Sequence, residues 1–294
     1  MIFYLVTKQH AYTMAWFLDS WGKALTSRIT IMPYDDLVAG KGVPRDASFI
    51  FSDFDRLPGV ARALLGPLHD KLVTAFGPAR VLNDPLRSLL RFDLLRMLHE
   101  RGANRFDAWR VNDAVVPRRF PVFVRDERGF AVAPPLLLET AEEYAAAVRD
   151  LDARNVPPEH GIAIEFCNTA DKDGIYRKYG VFVAGEAIVP RHLFFSRNWF
   201  VKDADLVEPA MLAEEMAFVQ TNPHEGTLRE IFRLAGIAYG RIDYALVDGR
   251  LQVWEINTNP ILTPRIDKTA ERGPVHQHFV NMIAAAFLAI DRRA

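Results

Sequence analysis

Over the first third of the chain, short apolar runs alternate with helical spacings. Ile2 to Val6, Ile29 to Met32, Phe49 to Phe51 and Val81-Leu82 read as strands, and 13–25 and 58–76 as helices, the second opened by Pro58 and Gly59. Such alternation predicts a small parallel α/β unit. Asn83-Asp84-Pro85 reads as a helix start with Asp84 as N-cap, and that helix runs to Glu100 or Arg101, closed by Gly102. From about residue 112 the texture changes to mostly strand. Phe120 to Arg125 and Ile162 to Phe166 read as strands, with a helix over 139–153 between them that Thr140 and Glu143 open as a capping box. Strands over 177–183 and 187–195 flank a turn at Gly185, and helices over 209–220 and 224–235 follow. The last helix, 275–290, lays Phe279, Ile283 and Phe287 along one stripe, a packing face.

Two further strands, Tyr239-Gly-Arg-Ile-Asp243-Tyr and Val253-Trp-Glu255-Ile-Asn257-Thr-Asn-Pro260, are joined by an Asp248-Gly249 turn. They end in two carboxylates and a carboxamide, groups that need partners once they leave water. Glu255 and Asn257 share a strand face, Asp243 can join them from its neighbour, and oxygen ligands of this kind suit a hard divalent cation. Register decides whether they meet. A tight two-residue turn pairs Val247 with Arg250 and sets Asp243 against Trp254, sending Glu255 to the other face. The chemically better register pairs Val247 with Leu251, Ala245 with Val253, Asp243 with Glu255 and Arg241 with Asn257, leaving Ile242, Tyr244, Leu246, Trp254 and Ile256 for the core. It requires an odd-length loop centred on Gly249, or a bulge that absorbs one residue.

Composition narrows the setting. A chain of 294 residues, half of them hydrophobic, can bury a substantial core. A formal net charge of −1 gives no basic footprint for nucleic acid. The single cysteine, Cys167, excludes an intrachain disulfide framework and fits a reducing compartment. The apolar start has no basic n-region, and Met282 to Ile290 is far below spanning length, so a soluble, cytoplasmic enzyme with no membrane partner is expected. His276 and His278 splay apart at helical spacing and predict no zinc site.

The wording Arg-x-Asp, then Glu-x-Asn-Thr-x-Pro after a turn, resembles the C-terminal metal site of the ATP-grasp superfamily. It is similar to the D-alanine–D-alanine ligases and, more loosely, to the ligases that add glutamate to ribosomal protein tails. The resemblance implies an α/β and α+β ATP-grasp fold: an N-terminal parallel α/β domain over 1–112, a small nucleotide-clamping subdomain over 113–185 and a C-terminal subdomain with the metal site over 186–294, ATP lying between the last two. It implies that Asp243, Glu255 and Asn257 hold Mg²⁺ (or Mn²⁺) against the ATP phosphates. Arg91, eleven residues before Gly102, resembles a family position whose Lys contacts phosphate, and Phe120 to Arg125 resembles a Pro-x-x-x-Lys strand whose Lys also reaches ATP. Both lysines are arginines here, keeping the charge but adding a bulkier planar fork. The glycine-rich loop expected next is reduced to Asp126-Glu-Arg-Gly129-Phe. Ile164-Glu165-Phe166 resembles the hinge where a Glu and the next backbone meet adenine, and Lys178 lies on a strand that would line the cleft. Arg241 matches an arginine that stabilises the oxyanion, and Arg191-His192 could reach substrate.

The implied activity is an ATP-dependent carboxylate–amine (or thiol) ligase with an acyl-phosphate intermediate, its partners a small-molecule or peptide carboxylate and an amine acceptor. A nucleotide-binding pseudoenzyme and an ATP-grasp kinase are the alternatives. Neither the acceptor nor the oligomeric state is encoded in a portable motif.

Overall fold

A computed structural model describes residues 1–40, 42–113, 115–129, 134–264 and 270–292. β1 (Ile2–Val6), β2 (Ile29–Pro33), β3 (Ser48–Phe51) and β4 (Val81–Leu82) form a parallel sheet in the order β2-β1-β3-β4. Its strands read as continuous apolar runs because both faces are covered. The helices between them are α1 (Tyr12–Asp19), α2 (Tyr34–Val38) and α3 (Gly59–Phe76). Helix α1 is shorter than its pattern, since the N–H groups of Ser20 and Gly22 both turn back to the Phe17 carbonyl.

The helix expected from Asp84 starts later, as α4 (Arg91–Glu100). Asp84 instead caps a turn, accepting the N–H groups of Leu86 and Arg87 at 2.9 and 3.2 Å. Beyond it, Ser88 Oγ donates to the Gly236 carbonyl and the Leu89 N–H to that of Ala235, and these tertiary bonds hold the chain out of helix. Gly102 closes α4 with φ of 70°, as expected.

A three-stranded antiparallel sheet follows, with β7 (Gly161–Glu165) between β5 (Ala108–Arg110) and β6 (Val122–Asp126), and α5 (Ala141–Ala153) packed on β6. The third sheet, order β11-β10-β8-β9, is built from β8 (Tyr176–Ala184), β9 (Ala187–Ser196), β10 (Tyr239–Val247) and β11 (Arg250–Asn257). Helices α6 (Pro209–Thr221) and α7 (Glu225–Ala235) cover the face carrying Val181, Ile242 and Tyr244. On the other face Phe182 and Tyr239 pack with α8 (Gly273–Asp291), through Phe279, Ile283 and Phe287, against the first sheet. β5, before residue 112, pairs within the middle sheet, and β8, before residue 185, pairs within the last.

One residue joins the first and last sheets. Asn83, left-handed at φ 63°, donates from Nδ2 to the carbonyls of Phe51 and Tyr239, both at 2.8 Å. Its Oδ1 accepts the N–H groups of Ala238 and Tyr239 at 2.7 and 3.0 Å.

Candidate active site

The β10–β11 hairpin contains both registers that the sequence allows. Asp248 and Gly249 have φ of 51° and 74°, the left-handed pair a two-residue turn needs, and Val247 opposes Arg250. The pairing then shifts by one residue between Asp243 and Tyr244, so Asp243 opposes Glu255 and Arg241 opposes Asn257. The extra residue is Trp254. Near the turn, Ala245 pairs with Gln252 rather than Val253, and Leu246 rather than Val247 faces Leu251. Trp254, expected in the core, lines the same cleft as Glu255, because a bulge sends two consecutive side chains to one side.

Strand β9 repeats the device. Gly180 opposes His192 and Val181 opposes Pro190, leaving Arg191 as the extra residue, at a bulge where proline is tolerated. Arg191 and His192 consequently line one cavity together. One row across the sheet runs Glu255, Asp243, Gly180, His192. Glycine is required at 180, since a Cβ there would overlap the His192 imidazole.

Between the middle and last sheets lies a cleft of about 210 Å³. Phe123, Ile164, Phe166, Trp199, Phe200 and Trp254 form its apolar part, with Trp199 against Phe123 and Phe166 at ring distances of 5.3 and 5.5 Å. Among the described residues its polar part holds Arg91, Arg125, Arg177, Lys178, Lys202 and Arg241 against two carboxylates, Asp243 and Glu255. Such a surplus of cations suits a polyanion lying beside a flat apolar group.

The cations compensate the carboxylates. Arg241 grips Asp243 with Nε and a terminal nitrogen at 2.6 and 3.1 Å, and Lys178 Nζ stands 3.8 Å away. Burial works to raise the Asp243 pKa, but Arg241, Lys178 and Arg91 outweigh it and the net shift is downward. Arg91 pairs with Glu255 and donates to the Glu127 carbonyl at 3.0 Å. Burial pulls its pKa down to about 10, against the pull of Asp55, Glu127 and Asp243. Arg125 donates to the Gly129 carbonyl at 2.6 Å, and burial, then Arg91, hold its pKa well below the ordinary value. Asn257 Oδ1 accepts the Asn259 N–H at 2.8 Å. Among the described residues no group of three or more His, Cys, Asp and Glu could hold a metal. The candidate set is two carboxylates and a carboxamide, and this all-oxygen chemistry, with one carboxylate already held ionised by its neighbours, fits a hard divalent cation.

Glu165 departs from expectation. Its carboxylate takes Arg119 Nε at 2.9 Å, a second Arg119 nitrogen and the Asp107 N–H at 3.0 Å, outside the cleft. Phe166 lines the cleft with its ring, while its N–H is committed to the Pro121 carbonyl at 2.9 Å. Neither the carboxylate nor that N–H is presented to a base. Phe130, at the end of the expected loop, lies outside the described residues. Sequence reasoning missed Trp199, Phe200 and Lys202, whose only signal was an aromatic pair followed by a lysine just past a strand.

His192 is buried and stacked on Phe194 at 3.9 Å. Burial, then Arg241, Lys178, Arg191 and Arg272, keep its pKa well below 6.5. Below that pH the unfolded chain takes up a proton that the folded one refuses, so stability should fall as pH drops. Urea unfolding from about pH 8 to about pH 5 checks this. The parent should lose more stability than His192→Asn, and parallel profiles would show that another group dominates.

Arg125→Ala and Arg91→Ala each remove a cation from the cleft and should each weaken binding of a polyanion there, ATP being the probe, about ten- to hundredfold, the worth of one charge-assisted contact. Parent-like calorimetry for both would mean that they touch no phosphate. Arg125→Lys should be tolerated.

No helix among the described residues is long and apolar enough to cross a membrane. No protein-family model and no curated protein matches the sequence. Solved structures do. The D-alanine–D-alanine ligase from Bacillus anthracis complexed with ATP aligns over 99% of this chain and 98% of its own, with TM-score 0.55 and 13% identity. The ATP-grasp ligase PsnB complexed with a minimal precursor aligns over 98% of both chains, with TM-score 0.55 and 14% identity. A RimK domain ATP-grasp protein from Sphaerobacter thermophilus covers 98% of this chain and 100% of its own, with TM-score 0.51 and 14% identity. These alignments take in all three sheets and the cleft between the last two, and on them this chain has the ATP-grasp fold.

Proposed function

We propose that the protein is an ATP-dependent ligase joining a carboxylate to an amine (or thiol) through an acyl phosphate. The observation that carries this reading is the hairpin bulge, which turns Asp243 and Glu255 to face each other in a cleft whose other charged lining residues, among those described, are cations. The fold shared with ligases, one of them solved with ATP, supports it.

In this reading the base lies among Phe123, Ile164, Phe166, Trp199 and Trp254, and the phosphates lie towards Arg91, Arg125, Lys178 and Arg241. Asp243, Glu255 and Asn257 would hold Mg²⁺ or Mn²⁺, which neutralises phosphate charge when bound. Arg91 leaves Glu255 for phosphate as the nucleotide enters, exchanging one anion for another. A substrate carboxylate oxygen attacks the γ-phosphorus, the bond to the β-bridging oxygen breaks, and ADP departs. The amine nitrogen then attacks the acyl carbon and loses its proton, and inorganic phosphate leaves. Arg241, which lines the cleft, would stabilise the charge that develops on the acyl oxygen. Positioning and charge neutralisation do most of the work in such transfers.

The experiment is an ADP-release assay over acid and amine panels, with hydroxylamine added to trap the acyl phosphate. ADP released together with a hydroxamate is the expected result. A phosphorylated product stable to hydroxylamine would indicate a kinase. The pairing of Arg91 with Glu255, with arginine at both expected lysine positions, favours a second reading as a nucleotide-binding pseudoenzyme. ATP binding with no ADP release from any panel would support that one.

A further inference from the structure

In the first sheet the chain passes from β1 to its neighbour β2 on one side, then returns past β1 to build β3 and β4 on the other. In a parallel sheet, ligands are received in the crevice outside the carboxyl ends of the two strands at such a reversal. Here those strands are β1 and β3, and Thr7 and Asp53 lie just past their ends.

Asp53 is fully buried and left-handed at φ 62°. Holding a residue other than glycine in that region costs free energy, and such positions gather at functional sites. Its Oδ2 accepts the Thr7 hydroxyl and lies 2.8 Å from His10 Nδ1, while Arg56 Nε stands 3.3 Å from Oδ1. An ionised carboxylate only accepts, so a neutral His10 carries its proton on Nδ1 and keeps a lone pair on Nε2. The His10 side chain remains 22% exposed, open to an incoming group.

This pair adjoins the nucleotide cleft. Asn259, two residues past Asn257, donates from Nδ2 to the His10 carbonyl at 3.3 Å and accepts Thr13 Oγ1 at 2.5 Å. Thr258 donates to Asp55, two residues past Asp53. The chain leaving β11 is thereby fastened to both segments that carry the pair. Asp55 in turn lies close enough to act on the charge of Arg91 in the cleft. The cleft is cationic and suits anions, whereas the strand ends supply two carboxylates and an imidazole, which suit an amine.

We infer that the crevice at the ends of β1 and β3 receives the amine acceptor, with His10 as its general base and Asp53 as the residue that positions His10. The inference rests on the ligase reading. As the uncharged amine nitrogen attacks the acyl carbon, its proton passes to His10 Nε2. The acyl C–O bond breaks, its electron pair leaves with inorganic phosphate, and the imidazolium returns the proton to solvent. Asp53 fixes the tautomer and steadies the imidazolium.

The test compares two products of one acyl phosphate, made by the intact chain from ATP, Mg²⁺ and each acid of the panel. Hydroxylamine is uncharged at neutral pH and needs little help from a base. Ammonia, ethylamine, glycine, L-alanine and L-lysine are protonated there and need more. General-base help is worth about 10²–10⁴-fold, so His10→Asn and His10→Gln should lower the ratio of amide to hydroxamate about a hundredfold. Both are measured, so the test survives if one fails to fold. Asp53→Asn, which tolerates the left-handed backbone, should lower the same ratio about tenfold or more. A merely structural role would reduce both products together and leave the ratio unchanged. A parent-like ratio in the His10 variants, or a parent that forms hydroxamate yet amidates none of these amines, overturns the inference and leaves acyl-phosphate formation standing. No hydroxamate from the parent with any acid overturns both.

Discussion

Asp243→Asn and Glu255→Gln should each lower ATP turnover by at least about a hundredfold while the chain stays folded. Groups that merely orient metal ligands are worth about 10–100-fold in affinity or activity, and these side chains would be ligands themselves. The amides keep the shape of the carboxylates, so the fold should be retained, with a lowered melting temperature for Asp243→Asn because one of the two Arg241 donors then meets an NH2 group. Steady-state ADP release at saturating Mg²⁺ measures the effect. An unchanged catalytic constant in both variants would remove Asp243 and Glu255 from any metal role.

Asn83→Ala should be the most destabilising of these substitutions, by at least about 3 kcal/mol. It strips partners from four backbone groups, the carbonyls of Phe51 and Tyr239 and the N–H groups of Ala238 and Tyr239. Each buried group left unpaired costs about 1–3 kcal/mol, and water entering the gap recovers part of the total. Alanine is also disfavoured at a φ of 63°. Urea unfolding of parent and variant gives the difference, and a loss below about 1 kcal/mol would mean that the sheets are held together elsewhere.

Asn83 also marks where sequence reasoning stops. In the sequence it belongs to an Asn-Asp-Pro helix start, and Asp84 does cap the next residues, but the partners of Asn83 lie at 51 and 238–239, which no local pattern reveals. The helices were legible because most bury one periodic face, and the first-sheet strands because they are unbroken apolar runs covered on both faces. The hairpin register was legible at its far end, where Asp243 meets Glu255 and Arg241 meets Asn257, but not near the turn, where the pairing is shifted by one and the bulge puts Trp254 on the cleft side of β11. Glu165 misled because a strand-end carboxylate reads the same whether it faces a base or an arginine, and Arg119 lies far away in sequence. The cavity that Arg191 and His192 line was partly visible in that pair. Arg272 and Lys202 reach it from separate segments, so its charge emerges only when the chain is folded.

Titration of ATP into the chain with and without Mg²⁺ tests the nucleotide site most directly. Binding at one saturable site, tightened about tenfold or more by Mg²⁺ in the parent and indifferent to Mg²⁺ in Asp243→Asn, is the expected result. No saturable binding, or an affinity in the parent that ignores Mg²⁺, would contradict the assignment of the cleft and of the carboxylates that face each other within it.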